Sequence, residues 1–116
     1  MSDDPDSTDV SAADLTVIDN PAEEQLEVRL ADAEGVERLA KLEYHVSRAA
    51  SGDRLVIIHT EVPDELEGHG IGGALVRAAL ERAMADDLVV VPRCPFARGW
   101  LERHPDDAAR VTVDWP

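Results

Sequence analysis

The first half of the chain alternates between apolar and polar residues, which is the pattern of strands with one buried face. Residues 25–30 and residues 36–46 each show this alternation. Turns that contain Gly35 and Gly52 follow these two segments, and a third strand is predicted over residues 54–62. Because the turns are short, the three strands favour an antiparallel meander.

The third predicted strand contains the continuous apolar run Leu55–Ile58, which is typical of a strand buried on both faces. Pro63 lacks an N–H group and marks the end of this strand. From Ile71, apolar residues recur at helical spacing and predict a helix to about Ala85, and residues 88–91 form a short apolar fourth strand. A strand, a helix and a strand in this order predict a βαβ unit with parallel strands.

The chain after the fourth strand is predicted to form a short helix over residues 96–103 that stops near Pro105. Val111 and Val113 either add a terminal strand or pack against the fold. The sequence therefore predicts one α/β (α+β) domain. Its elements are an antiparallel three-strand meander, a helix, a parallel strand and a short C-terminal helix.

The segment Glu61–Gly73, EVPDELEGHGIGG, connects the third strand to the helix and is rich in glycine. Glycine lets the backbone approach a ligand closely, and free N–H groups at a helix N-terminus attract anions. Residues 67–73, called here the glycine cradle, are therefore a candidate phosphate site. A tight connection that binds nothing would carry the same glycines. The spacing G-x-G-x-G fits neither the Rossmann fingerprint nor the P-loop, which needs a lysine after its glycines.

The glycine cradle resembles the acetyl-CoA-binding signature of the GNAT acetyltransferase superfamily, Gln/Arg-x-x-Gly-x-Gly/Ala. Gly70 and Gly72 match its two small positions, and Glu67 stands where Gln or Arg is usual. Three further motifs occur in the same order as in a minimal GNAT-like subfamily of short proteins, and the resemblance covers about residues 25 to 106. They are His59-Thr60-Glu61-Val62-Pro63, Pro92-Arg93-Cys94-Pro95-Phe96 and His104-Pro105.

This resemblance implies a GNAT-like fold whose third and fourth strands splay apart and bind acetyl-CoA as co-substrate. The pyrophosphate would contact N–H groups of the glycine cradle. Acidic residues at 64, 65 and 67 stand beside this site, so we expect weaker binding at low salt, partly offset by Arg77. The residues expected to bind acetyl-CoA are Val62, Glu67, Gly68, His69, Gly70, Ile71, Gly72, Gly73, Cys94 and Trp100.

Three residues are candidates for catalysis: Cys94, His59 and Glu61. Cys94 lies between Arg93 and the start of the last helix, and both neighbours stabilise a thiolate, although most free cysteines are buried structural residues. His59 and Glu61 lie two residues apart on one strand face and could serve as a water-linked base for an amine.

Many GNAT enzymes carry a tyrosine acid in a pattern like Ala-x-x-Tyr, and Ala97-Arg98-Gly99-Trp100 has that spacing with Trp100 in its place. Indole is no acid near neutral pH, so we interpret Trp100 as a pocket wall or a core residue. His69 is expected to line the phosphate site, and His104 to complement the dipole at a helix C-terminus.

The size and the cysteine count restrict the possible classes of protein. At 116 residues the chain suffices for one domain with a modest core. One cysteine excludes a disulfide framework and a cysteine-based zinc site, and the histidines lack metal-ligand spacing, so we expect no metal. No apolar run of about 18 residues occurs, and the N-terminus is acidic where a signal peptide would be basic. We therefore expect a cytoplasmic protein.

The formal net charge of −14 argues against nucleic acid and anionic membranes as partners, because both require a basic surface. Residues 1–24 carry eight acidic residues and no Lys or Arg, so we expect a disordered acidic tail over residues 1–22 and a single domain over residues 23–116. Ten arginines accompany only Lys41. Such a surface suits a protein from a salt-loving organism. A high-GC codon bias would also explain the arginines, but not the acids.

The function that this sequence favours is acetyl-CoA-dependent N-acetylation of an amine whose identity the residues do not reveal. The alternative is an acyl-CoA-binding module without turnover, or one that carries acetyl on Cys94. A purely structural partner-binding domain is the third hypothesis. The oligomeric state stays open between a monomer and a weak dimer.

Overall fold

The computed structural model of the protein describes residues 15–116. They form a five-stranded sheet in the order β1-β2-β3-β4-β5. The strands are β1 (Ile18–Asn20), β2 (Gln25–Ala31), β3 (Glu37–Ser47), β4 (Arg54–Glu61) and β5 (Val89–Pro92). The helices are α1 (Ile71–Asp86), α2 (Pro95–Arg103) and α3 (Pro105–Ala108), and a 3-10 turn over Asp64–Leu66 precedes α1.

The predicted meander and βαβ unit are confirmed. Strands β2, β3 and β4 pair antiparallel, and β4 pairs parallel with β5 after α1. The helix predicted to end near Ala85 ends at Asp86, and the predicted C-terminal helix begins one residue earlier, at Pro95. Pro95 suits this first helical position because its missing N–H would have no acceptor there.

The helices pack against one face of the sheet, called here the helix face. Alternate strand residues such as Leu42, Tyr44 and Ile57 point to this face and join α1 and α2 in one core. The expectation that Leu55–Ile58 is buried on both faces is wrong. Leu55 and Ile57 are fully buried, whereas Ile58 is 50% exposed, because no helix within residues 15–116 covers the other face of the sheet, the open face, at this point.

Strand β1 was not predicted, and it lies inside the segment expected to be a disordered tail. Ile18–Asn20 pairs antiparallel with β2, so the sheet begins before the expected domain boundary at residue 23. The Tyr44 hydroxyl donates to Asp19 Oδ1 at 2.6 Å, and Arg82 Nη1 of α1 donates to Asp19 Oδ2 at 2.6 Å. These bonds connect β1 to β3 and α1. The rest of the expected tail, residues 1–14, lies outside the described residues.

The C-terminal residues add one parallel bridge beyond β5, between Val90 and Val113. Asp114 accepts an ion-paired hydrogen bond from Arg54 and holds this segment against β4. Within residues 15–116, no helix is both long enough and apolar enough to cross a membrane.

Candidate functional site

Strands β4 and β5 separate halfway along β4. Their pairing joins residues 54–57 to residues 89–92 and then ends. The N–H groups of Arg93 and Cys94 both donate to the carbonyl of Ile57, at 3.1 and 3.0 Å, so the chain turns away from β4 there. The last residues of β4, Ile58–Glu61, have no partner in β5. This is the splay that the family resemblance implies.

A β-bulge lies at the point of separation. Tyr44 pairs with Ile57, but the preceding Glu43 pairs with His59, so Ile58 is an extra residue in β4. Bulges bend a strand and re-aim the side chains that follow. Simple alternation from the buried Ile57 would turn His59 and Glu61 inward, and the extra residue reverses this.

The bulge therefore decides which β4 side chains face the helices. Thr60 pairs with the buried Leu42 and lies on the helix face. His59 and Glu61 lie on the open face, where their side chains are 55% and 59% exposed and His59 Nε2 is 3.5 Å from Glu61 Oε1. The two predicted base residues are thus close to each other, but they lie across the strand from the glycine cradle.

The glycine cradle leads into α1 through two glycines with positive φ, Gly68 at 88° and Gly70 at 73°. Residues that carry a side chain rarely adopt this backbone conformation. Gly70 is the N-cap of α1. The first backbone bond of the helix runs from Ala74 N to Gly70 O. The N–H groups of Ile71, Gly72 and Gly73 therefore have no acceptor within the helix and can bind an anion.

Gly72 and Gly73 have helical backbones and serve a different purpose, the close approach of α1 to α2. A Cβ atom on Gly72 would lie 2.6 Å from Phe96 Cζ, and one on Gly73 would lie 2.8 Å from Trp100 Nε1. Both distances are shorter than real carbon contacts. The two glycines therefore let the first turn of α1 and its free N–H groups lie directly beside α2.

A groove with a volume of about 670 Å³ lies between the unpaired end of β4, the glycine cradle and α2. Eight of the ten residues expected to bind acetyl-CoA line it, and His69 and Cys94 do not. The lining residues are Thr60, Val62, Leu66, Glu67, Gly68, Gly70, Ile71, Gly72, Gly73, Arg77, Phe96, Trp100, Arg103 and His104.

Several lining residues were not among the expected ligand contacts. Arg103 and His104 lie three and four positions after Trp100, so helical spacing from Trp100 would have found them. Thr60 could not be found this way, because its direction depends on the bulge.

Trp100 forms one wall of the groove and is 5% exposed. The guanidinium of Arg77 lies 5.0 Å from the centre of its indole ring, and the His104 ring stacks on it at 3.9 Å. His104 also bonds the carbonyl of Trp100 through Nδ1 at 2.7 Å. Trp100 thus both lines the groove and belongs to the buried core.

Cys94 is the N-cap of α2 and is only 4% exposed. Its Sγ lies 3.5 Å from Thr60 Oγ1, so the Thr60 side chain stands between the thiol and the groove. His69 Nδ1 is buried without a hydrogen-bond partner among the described residues.

The groove combines two kinds of free backbone group. The cradle has N–H groups at a helix N-terminus, which can bind an anion, and the unpaired edge of β4 has backbone groups that can pair with an amide. Arg77 and Arg103 bring positive charge to the groove, and this charge partly offsets the negative charge of the Glu67 carboxylate. Among residues 15–116, no group of three His, Cys, Asp or Glu side chains could hold a metal ion.

Comparisons with known proteins agree with this geometry. The family model described as GCN5-related N-acetyl-transferase matches residues 27–111. A GCN5-like protein from Staphylococcus aureus, described as a proposed N-acetyltransferase and solved by NMR, superposes with a TM-score of 0.61 at 25% identity. The match covers 88% of this chain and 90% of that one. The search of curated proteins gave no match. The family that the sequence motifs indicated is confirmed: the chain belongs to the GCN5-related N-acetyltransferase family.

Proposed function

We propose that this protein is an acetyl-CoA-dependent N-acetyltransferase. The observation that carries the proposal is the separation of β4 from β5 directly above a groove that ends at the glycine cradle. One continuous site thus offers an anion-binding helix N-terminus at one end and unpaired strand backbone at the other.

In this proposal the cradle N–H groups of Ile71, Gly72 and Gly73 bind the pyrophosphate, and the unpaired end of β4 binds the pantetheine arm. The bound thioester supplies an activated acetyl group. A C–N bond to the amine forms and the C–S bond breaks. The sulfur leaves with the electron pair of that bond and receives the proton that the amine loses. Holding the two reactants side by side is the main contribution of such a site.

The acceptor amine would approach from the open face. The pairing of β4 with β5 ends before the last residues of β4, and His59 and Glu61 lie on that face in this unpaired part of the strand. Their 3.5 Å pair is exposed to solvent, so it can accept a proton from an incoming ammonium through a water molecule.

A tyrosine acid for the leaving sulfur is absent. Trp100 stands at its expected place, and the single tyrosine of the chain, Tyr44, is bonded to Asp19 and Arg82 outside the groove. We therefore propose that the proton reaches the sulfur from the amine and solvent rather than from a dedicated tyrosine.

The alternative, a CoA-binding module that carries acetyl on Cys94, has less support. The thiol is 4% exposed and lies behind Thr60. Under direct transfer, intact-protein mass spectrometry should show no added acetyl group after incubation with acetyl-CoA. A hydroxylamine-sensitive acetyl group on Cys94 would favour the carrier instead.

The proposal is tested by titrating acetyl-CoA at about 0.1 M and about 2 M KCl, since screening by salt removes the repulsion from acidic residues near the cradle. We expect saturable binding that is tighter at high salt, and release of free CoA when amines are added. Absence of binding at both salt concentrations would refute the proposal.

A matched pair of variants connects the binding to the cradle. Gly68 and Gly35 both have positive φ, and at either position an added Cβ would have no neighbour within 4 Å among residues 15–116. Gly68→Ala and Gly35→Ala should therefore impose similar backbone strain, but only Gly68→Ala should weaken acetyl-CoA binding. Equal binding by the two variants would exclude the cradle as the phosphate site.

A further inference from the structure

Thr60 is a polar residue at a position where the sheet otherwise buries apolar side chains. On the same face of β4, Leu55 and Ile57 are fully buried, and its partner across the β3–β4 pair, Leu42, is fully buried as well. An aliphatic residue would fill this place at least as well. Thr60 lines the groove, and the packing of the core does not require a hydroxyl there.

The hydroxyl has a single hydrogen-bond partner in the described part of the chain, the thiol of Cys94. Cys94 Sγ donates to Thr60 Oγ1 at a distance of 3.5 Å. A hydroxyl has one hydrogen to donate in addition to its acceptor lone pairs. The thiol can act as the donor in this contact, so the hydrogen of Thr60 can point elsewhere, and the groove that Thr60 lines is the side open to a ligand.

We propose that the Thr60 hydroxyl donates a hydrogen bond to the carbonyl oxygen of the thioester, and that Cys94 is a positioning residue that orients this hydroxyl. The inference rests on the proposed function, because it concerns the acyl group of the ligand. It gives the buried thiol a role that agrees with its position behind Thr60, and that role requires no covalent bond to sulfur.

The location of Thr60 supports this assignment. It follows the bulge at Ile58, on the part of β4 that has no β5 partner, where the groove meets the split between the strands. Attack by an amine moves negative charge onto the carbonyl oxygen. A donor fixed in advance at that oxygen stabilises the charge more than it stabilises the ground state.

The test compares acetyl-CoA with CoA, which lacks the carbonyl, on the wild type, Thr60→Val and Thr60→Ser. Thr60→Val keeps the shape and removes the donor, so affinity for acetyl-CoA should fall about 2- to 10-fold while affinity for CoA stays the same. Thr60→Ser retains the hydroxyl and should keep most of the acetyl-CoA affinity that Thr60→Val loses. Cys94→Ala should give a smaller loss, because the hydroxyl remains but is no longer oriented.

A spectroscopic measurement reports the bond directly. In acetyl-CoA labelled with ¹³C at the carbonyl, the resonance should move downfield on binding to the wild type and move less on binding to Thr60→Val. An equal carbonyl shift and an equal ratio of acetyl-CoA to CoA affinity in both proteins would overturn the inference and leave the proposed function intact.

The inference does not depend on the folding of a variant. If the carbonyl resonance of acetyl-CoA bound to the wild type equals that of free acetyl-CoA, Thr60 donates no bond and the inference is wrong. If the wild type binds neither CoA nor acetyl-CoA, both the inference and the proposed function are wrong.

Discussion

The single tyrosine of the chain provides a direct test of how the N-terminal strand is held. Tyr44 is buried and donates to Asp19, and both burial and the nearby carboxylate disfavour its ionised form. Burial, followed by the hydrogen bond to Asp19, raises the pKa of Tyr44 from 10.0 to about 12. The unfolded chain should release this proton near pH 10, whereas the folded protein should hold it until about pH 12.

This difference in pKa between the folded and the unfolded chain makes the stability of the fold depend on pH. A group whose pKa is raised in the folded state stabilises the fold fully below the unfolded pKa, and this stabilisation is lost as pH rises from about 10 to about 12. A shift of about 2 pKa units corresponds to about 3 kcal/mol at most. Urea unfolding of the wild type should therefore show a steeper loss of stability above pH 10 than unfolding of Tyr44→Phe, which lacks the titrating group.

Tyrosinate absorbance near 295 nm measures the pKa itself, and with one tyrosine in the chain the signal has a single source. Asp19→Asn is the matched control, because it removes the charge and should keep the burial. Its midpoint should lie between that of the wild type and 10. A wild-type midpoint at 10 would show that Asp19 and β1 do not enclose Tyr44.

Three further predictions concern the site and the domain boundary. Gly73→Ala should be less stable than Gly99→Ala by about 1–3 kcal/mol in thermal or urea unfolding. The Cβ at residue 73 would lie 2.8 Å from an indole nitrogen, whereas in the described part of the chain the Cβ at residue 99 would meet only the end of an arginine side chain, at 3.1 Å. Equal stability would indicate that α1 and α2 can separate at no cost. Arg77→Ala should weaken acetyl-CoA binding up to about tenfold at low salt and much less at about 2 M KCl, and an equal loss at both salt concentrations would contradict an electrostatic role. A chain that starts at residue 23 should melt at a lower temperature than one that starts at residue 15, because it lacks β1 and the Asp19 bonds; identical melting temperatures would contradict this.

The sequence predicts the elements of this fold because their signals are local. Alternation marks β2 and β3, helical spacing marks α1, and Pro63 with the following glycines marks the strand-to-helix turn. Strand β1 has only three residues. It is held by its pairing with β2 and by bonds from Asp19 to residues more than twenty positions away. Pattern analysis of short windows does not detect such bonds.

The candidate site was predicted in part for the same reason. The cradle glycines form a contiguous motif, so the sequence reveals them. Thr60 and His59 are neighbours in sequence but lie on opposite faces of the sheet, and only the extra residue at Ile58 determines which of them reaches the groove. A bulge has no reliable sequence signature, so the assignment of β4 side chains needed the structure.

The bulge in β4 sets both the direction of the side chains that follow it and the bend of the strand, and a deletion could separate these two properties. Removing Ile58 would leave a regular strand in which Thr60 still pairs with Leu42 and faces the helices, because one residue would then oppose one residue throughout. The bend that accompanies the extra residue would be lost. Such a chain would keep Thr60 on the helix face and would lack the bend beside the split between β4 and β5, so the extra residue is needed for access to the groove and not for the direction of Thr60.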